Sequence, residues 1–262
     1  MENNGITLAW WSGGITSAVA CRLALEKYEN VKLVYIETGA HHPDTLRFKK
    51  DCEKWYNKEI QTIQNTKYKN HFDVFRKHKF INSPYGAPCT KVLKRMMRLE
   101  YEKSNKIKAQ VWGYEFTRRE INRAIRTQEQ YPETNPLFPL IEEKLNKNDC
   151  AGIIVQANIE LPEMYKLGYN NNNCIGCVKG GKKYWSKIRR DFPDIYKEMS
   201  EIEIDLKSTC INGIYLTELS DSIQNDDKEV FPKCGLFCQV EFAHLMSNRV
   251  EKVLNGESIY SI

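Results

Sequence analysis

The 262-residue chain has no run of about 18 consecutive apolar residues, which excludes an ordinary membrane-spanning helix. It has no Gly-x-Gly-x-x-Gly and no eight-residue phosphate loop ending in Lys-Ser/Thr, so the commonest nucleotide signatures are absent. No basic-then-apolar leader precedes the first apolar segment, and the expectation is a cytoplasmic protein without a membrane partner. No internal repeat is visible, and the five histidines give little. Charge of one sign is not in large excess. The net charge is +5, a mild basic balance compatible with anionic small molecules or with RNA or DNA and demanding neither. An odd number of cysteines, nine, in a chain read as leaderless argues against a disulfide framework. Reduced thiols for catalysis, metal or an iron–sulfur cluster are the better reading.

What is present is alternation. Ile6–Trp11 is strand-like, Ser17–Tyr28 helical, Lys32–Ile36 rich in β-formers, Asp44–Tyr56 helical and Glu59–Ile63 a weak strand. Tyr68–His78 and Lys91–Glu102 follow as helices, and Ala109–Tyr114 as a fourth strand. Strands separated by helices predict an α/β fold, a mainly parallel twisted sheet with helices on both faces. After about residue 145 the pattern changes. Prolines punctuate it, four asparagines (Asn170–Asn173) lead into Cys174-Ile175-Gly176-Cys177, and helices are expected at Lys182–Asp191 and Asp194–Ile204. The division read from this is a nucleotide-binding α/β domain over 1–145 and a cysteine-rich helical and irregular C-terminal region over 146–262 packed on it. Cys21 and Cys52 fall on apolar-periodic helix positions and are expected to be buried hydrophobes.

The most informative stretch is Trp10-Trp11-Ser12-Gly13-Gly14-Ile15-Thr16-Ser17-Ala18. A strand, a Ser-Gly-Gly turn and a helix N-terminus form an anion site: the glycines let backbone approach a phosphate, and the first helical N–H groups point at it. In a parallel sheet such ligands sit beyond the carboxyl ends of the strands. Glu37-Thr38-Gly39 and Gly113 fall at the same edge. His41 and His42, beside Gly39, either touch a nucleotide or cap the helix at Asp44, with capping expected of at least one.

These residues resemble the phosphoadenosine phosphosulfate reductase family, within the adenine-nucleotide α-hydrolase-like proteins that carry a pyrophosphatase-type loop. Ser12-Gly13-Gly14-Ile15-Thr16-Ser17 is similar to the family's Ser-Gly-Gly-x-x-Ser loop, and Tyr35-Ile36-Glu37-Thr38-Gly39 to its second strand, usually ending Asp-Thr-Gly. Pro139-Leu140, then Leu161-Pro162 to Gly168-Tyr169, then Cys174-Ile175-Gly176-Cys177 follow the family's order of Pro-Leu, Pro, Leu-Tyr, Gly-Tyr and Gly-Cys-x-x-Cys. The Asn-rich version resembles uncharacterised proteins of bacteria and their phages.

The resemblance implies that Ser12, Gly13, Gly14, Thr16 and Ser17 hold a phosphate or sulfate and that Glu37, Thr38 and Gly39 lie near the adenosine. It also implies that Gly113, Arg118, Arg119 and Arg123 serve the anionic end, where planar guanidinium donors suit phosphate and sulfate. Two departures matter. The Lys-Asp of ATP-splitting loops is replaced by Ile15-Thr16, which weakens an ATP-pyrophosphatase reading. The Arg-Arg-Glu segment is Arg118-Arg119-Glu120, displaced further from Gly113 than the family has it.

The cysteines carry the remaining implications. In the family a tail cysteine attacks the activated sulfur and an external thiol such as thioredoxin resolves the product. Lys233-Cys234-Gly235-Leu236-Phe237 is a partial match to that tail, making Cys234 the implied catalytic nucleophile, with a structural or metal-binding Cys234–Cys238 pair as the equal alternative. In the cluster-bearing branch, paired cysteines and a later Cys-x-x-Cys hold a [4Fe–4S] cluster. Here Cys89, Cys174 and Cys177, with Cys238 as one of the choices for a fourth, are the implied metal ligands. Zinc on Cys174, Cys177, Cys234 and Cys238 is the rival, and bare thiols the third possibility. The leading expectation is a sulfonucleotide reductase-like enzyme with an adenine nucleotide and a thioredoxin-like reductant as partners. An ATP-dependent sulfur or adenylyl transferase acting on tRNA or DNA, through basic helices at Arg118–Arg126 and Lys179–Arg190, and a non-catalytic nucleotide-binding module stay open, as does a homo-oligomer.

Overall fold

A computed structural model describes residues 5–83 and 86–220 of the chain. Five strands, β1 (Ile6–Trp11), β2 (Val31–Glu37), β3 (Ile60–Gln64), β4 (Ile107–Val111) and β5 (Pro136–Leu137), form one parallel sheet in the order β3-β2-β1-β4-β5. The chain builds outward from β1 in one direction through β2 and β3, then crosses to β4 on the other side. The gap between β1 and β4 is therefore a switch point, where loops from neighbouring strands diverge and leave a crevice at the carboxyl edge.

Both faces of the sheet are covered, so the central strands read as near-continuous apolar runs. Side-chain alternation sends Ala9 and Trp11 to one face and Leu8 and Trp10 to the other. The first face is packed by α1 (Ile15–Lys27), α2 (Asp44–Tyr56) and α7 (Lys147–Gln156). Cys21, Cys52 and Cys150 are buried in this layer as the small hydrophobes that periodicity predicts for the first two. The second face takes Tyr101 of α4 (Met96–Ser104), which meets Trp10 edge-on with ring centroids 6.1 Å apart. Trp10 Nε1 donates to Gln110 Oε1 at 2.9 Å, so the indole's one polar atom is satisfied while tying β1 to β4.

A second apolar core lies beside the sheet. It joins Phe72 and Phe75 of α3 (His71–His78) to Trp185 and Ile188 of α9 (Lys182–Asp191), and to Tyr196, Met199 and Ile202 of α10 (Pro193–Leu206). Ile175 and Val178, in and beside the Cys-x-x-Cys turn, belong to the same core. Among the described residues no helix is long and apolar enough to cross a membrane.

Several boundaries differ from the sequence reading for local reasons. Asn70 caps α3 by accepting from Phe72 and Asp73 N–H, so this helix starts at His71 and not at Tyr68. Asn146 and Asp149 form a capping box that starts α7 at Lys147. The segment Thr90–Arg95 is a π-helical turn leading into α4. β4 starts two residues earlier than expected and ends at Val111. β5 and the one-turn α6 (Pro139–Glu142) were not anticipated. Pro136 opens β5 without an N–H, which is tolerable on a two-residue edge strand. α5 (Arg118–Gln130) and α8 (Glu163–Lys166) complete the set of α-helices among the described residues.

Gly113, just past β4, shows how tightly the switch point is drawn. A Cβ there would lie 2.7 Å from Ser17 Cα and 2.9 Å from Ser17 N, inside the first turn of α1. Those are backbone atoms that cannot swing aside, so any side chain must push β4 and the α1 N-terminus apart. Gly113→Ala is expected to destabilise the fold by about 1–3 kcal/mol, the usual penalty of overpacking. The check is a urea titration, in which the midpoint falls while the slope is retained.

Candidate active site

The Ser12–Ser17 turn is built by its own side chains. Ser17 Oγ donates to Gly14 O at 2.8 Å and accepts from Ser12 N at 3.0 Å and Ser12 Oγ at 2.9 Å. Ile15 is fully buried in the core beneath α1. Where ATP-splitting relatives carry a lysine, this loop therefore carries an apolar anchor. Two residues from distant parts of the chain complete the turn. Tyr165 Oη accepts from Ile15 N at 3.4 Å, and Asn172 Nδ2 donates to Gly13 O at 2.8 Å and to Thr45 Oγ1 at 3.1 Å. Asn172 is almost wholly buried, so the asparagine run does more than present cysteines. Repeated asparagines gave no signal of which one would turn inward.

At the end of β2, Glu37 folds back on its own strand end. Its Oε1 accepts from the N–H groups of Thr38 and Gly39, each at 2.7 Å, and its Oε2 accepts from Tyr35 Oη at 2.8 Å. With the Tyr35 proton given to Glu37, His41 Nδ1 donates to Tyr35 Oη at 2.8 Å, and it lies 3.4 Å from Glu37 Oε1. The other ring nitrogen, Nε2, faces Cys174 Sγ at 4.0 Å, and Thr38 Oγ1 lies 3.3 Å from the same sulfur. His42 takes the capping role expected of one of the pair: its Nδ1 accepts from Asp44 N at 3.1 Å.

The electrostatics follow from this geometry. Burial alone would raise the Glu37 carboxyl, but hydrogen bonds from His41, the Gly39 N–H and Tyr35 hold it down at about 2. Burial works against charge on His41 as well, yet its bonds to Cys174 and Glu37 raise it to about 9. For Cys174, burial pushes the thiol up, but the Lys94 ammonium, His41 and Thr38 outweigh it and bring it to about 6. The neighbouring thiols go the other way: burial pushes Cys89 up to about 11, and raises Cys177. Of these three, Cys174 alone is held towards the thiolate.

The Cys174–Cys177 turn is fastened at each residue. Cys174 O accepts from Tyr184 Oη at 3.2 Å, and Ile175 N donates to Ala40 O at 2.8 Å. Gly176 O faces His71 Nε2 at 3.2 Å, and Cys177 N donates to Tyr184 Oη at 3.0 Å. His71 is buried and held down at about 4, chiefly by that burial, so it is the neutral ring that donates to Gly176. Gly176 has φ +74°, and a Cβ there would meet Ile195 Cγ2 at 2.8 Å, so the turn requires glycine. A cleft of about 600 Å³ opens over the turn, lined by Cys174 and Cys177 and by Lys179, Lys182, Lys183 and Lys187.

Among the described residues no group of three or more His, Cys, Asp or Glu side chains is placed to hold a metal ion. Cys89 does feel the charges of Cys174 and Cys177. The Cys174 sulfur also lies 3.3 Å from Thr38 Oγ1 and 4.0 Å from His41 Nε2. Cys234 and Cys238, the expected nucleophile and one expected ligand, lie outside the described residues.

Arg118 and Arg119 are exposed at the start of α5. Arg123 pairs with Glu120 at 3.2 Å and stacks over Tyr114, its guanidinium carbon 4.2 Å from the ring centre. Sequence reasoning thus named the residues of the loop, of the β2 end and of the Cys-x-x-Cys turn. It missed Asn172 and Lys94, and it missed that His41 pairs with Cys174. No local pattern announces a partner 133 positions away.

The family model described as the phosphoadenosine phosphosulfate reductase domain matches residues 7–182. An uncharacterized protein of Methanocaldococcus jannaschii is 23% identical over 196 residues, covering 73% of this chain and 46% of that protein. The chain thus spans about half the length of the curated relative it matches. The crystal structure of a phosphoadenylyl-sulfate (PAPS) reductase from Candida auris, in a phosphate complex, is 16% identical with a TM-score of 0.49, covering 65% of this chain and 82% of that one.

Glu37 offers a test of the site's internal wiring. Its carboxyl is depressed from an ordinary 4.5 to about 2, so its stabilising effect is present above about pH 4.5 and is lost as pH falls through about 2. Glu37→Gln is expected to cost about 1–3 kcal/mol at neutral pH. The difference in Tm between wild type and variant should shrink steadily between about pH 4.5 and 2. A pH-independent difference would mean that the carboxylate charge does not hold this strand end.

Proposed function

Because the chain belongs to the phosphoadenosine phosphosulfate reductase domain family, we propose that it is an enzyme that binds an adenine nucleotide at the carboxyl edge of its sheet and cleaves the nucleotide's sulfate by thiol chemistry. One observation carries this reading: the Ser12–Ser17 anion loop and the Cys174 thiol are joined at the edge by Asn172, two residues from that cysteine. An anion-binding turn and a cysteine turn brought to one sheet edge are parts that reductive cleavage of an activated sulfate can use.

In this reading the first N–H groups of α1 and the hydroxyls of Ser12 and Thr16 receive the phosphate or sulfate oxygens. Thr38 and Gly39, one strand over, flank the adenosine. Arg118, Arg119 and Arg123 are exposed on α5 and available to the nucleotide's outer anionic group. The buried Ile15 leaves the loop without a cation for a triphosphate, which favours a sulfonucleotide over ATP. The reaction consumes two electrons, supplied by an external dithiol of the thioredoxin type.

A second reading, sulfur or adenylyl transfer to a nucleic acid, is favoured by the four lysines of the cleft beside Cys174. It predicts tRNA or DNA binding that weakens steeply with added salt.

The test is direct. Reduced full-length protein with phosphoadenosine phosphosulfate and thioredoxin is expected to release sulfite, and calorimetry should detect the nucleotide. Ser12→Ala and Thr16→Ala are each expected to weaken nucleotide binding by about tenfold, the loss of one hydrogen bond to a charged group. Binding without sulfite would leave a nucleotide-binding module, and neither binding nor sulfite would overturn the reading.

A further inference from the structure

The Ser12–Ser17 turn borders a tyrosine hydroxyl that its own sequence does not supply. We propose that Tyr165 is a binding residue of this turn: an oxygen of the bound phosphate or sulfate group sits over Gly14, between Ser12 Oγ and Tyr165 Oη, and accepts a hydrogen bond from the Tyr165 hydroxyl. This inference rests on the functional reading above and deepens it, by naming a donor that stands in for the cation the loop lacks.

Three observations carry it. The first is space. Gly14 has φ −94° and ψ 157°, extended backbone that any residue adopts, so conformation does not demand a glycine there. The surroundings do. A Cβ on Gly14 would lie 3.2 Å from Tyr165 Oη and 4.0 Å from Ser12 Oγ. The missing side chain thus leaves a cradle edged by two hydroxyls. Ser12 is exposed, so the cradle is open on that side.

The second is placement. Tyr165 belongs to α8, 150 positions from Ile15, and its ring is buried in the core that also takes Ile15 and Leu140. The hydroxyl is therefore held in place before any ligand arrives, which spares binding the cost of ordering it. Its oxygen accepts from Ile15 N, in the first turn of α1, at 3.4 Å and also from the Asn172 N–H. A phenol that accepts from two N–H groups meets a further acceptor with its proton. Burial, opposed by those N–H groups, pushes its pKa up to about 12, so the proton is retained at neutral pH.

The third is charge. Ile15 is buried where ATP-splitting relatives carry a lysine, and Gly14 offers α1 no side-chain cap. A neutral phenol supplies a hydrogen bond without a countercharge. That suits a group carrying one or two negative charges better than a triphosphate.

The experiment is calorimetry on the reduced full-length protein with two probes, phosphoadenosine phosphosulfate and inorganic phosphate. Tyr165→Phe keeps the buried ring and removes the hydroxyl. It is expected to weaken both probes by about tenfold or more, the loss of a hydrogen bond to a charged group. Gly14→Ala fills the cradle and is expected to weaken both by a similar factor. Because each variant removes the same contact, the double variant should bind within about twofold of the weaker single one, a coupling that independent losses do not give. Both variants should keep the wild-type far-ultraviolet dichroism, which separates lost binding from lost folding. Unchanged affinity in Tyr165→Phe, loss of the nucleotide with phosphate unaffected, or losses that multiply in the double variant would each overturn the proposal. If the wild-type protein binds phosphate in a Tyr165-dependent way and does not bind the nucleotide, the functional reading falls and the cradle stands. If it binds neither probe, both fall.

Discussion

Backbone polar groups near a core must find partners, and at the Cys174–Cys177 turn that demand organises the whole carboxyl edge. Four successive residues offer a carbonyl, an N–H, a carbonyl and an N–H, and three residues from separate parts of the chain meet them. Tyr184 of α9 closes both ends, Ala40 past β2 takes the second residue, and His71 of α3 meets the third. One turn thereby pins the second core to the sheet. Ile175 and Val178, in and beside the turn, share that core with Phe72, Phe75, Trp185 and Met199. The buried, neutral state of His71 serves the same purpose, since a charged ring there would lack a counter-ion.

The edge also separates two kinds of anchoring. The Ser12–Ser17 turn is held from below by apolar burial of Ile15 and from the side by Gly113, whose lack of a side chain brings β4 against the first turn of α1. The β2 end is held by polarity: Glu37 spends its lone pairs on its own backbone and on Tyr35, and orders His41 as a result. An aspartate, usual in this family at that position, is one methylene shorter and would reach these groups differently.

Much of this frame was legible in the sequence. Four of the five strands announced themselves through apolar runs bounded by turns, and Cys21 and Cys52 through helical periodicity. β5 did not, because two residues beginning with proline carry no period. The loop, the β2 end and the cysteine pair were found because they are local strings. The chain of contacts from Glu37 to Cys174 was not, because it is assembled across 133 positions by a fold whose long-range contacts no window can contain. Lys94 was hidden in a basic helix that reads as an ordinary solvated face. It matters because the π-helical turn after Cys89 brings its charge to bear on Cys174.

Asn172 deserves a last consequence. Its amide grips Gly13 O and Thr45 Oγ1 inside the protein, while the chain two residues on becomes the cysteine turn. The Ser12–Ser17 turn and the thiol are then two ends of one short connector, buried at Asn172 and exposed at Asn173. Whatever free energy an occupant of the loop gains by tightening that connector, oxidation or alkylation of the thiol must gain or lose in equal measure, because linkage is reciprocal.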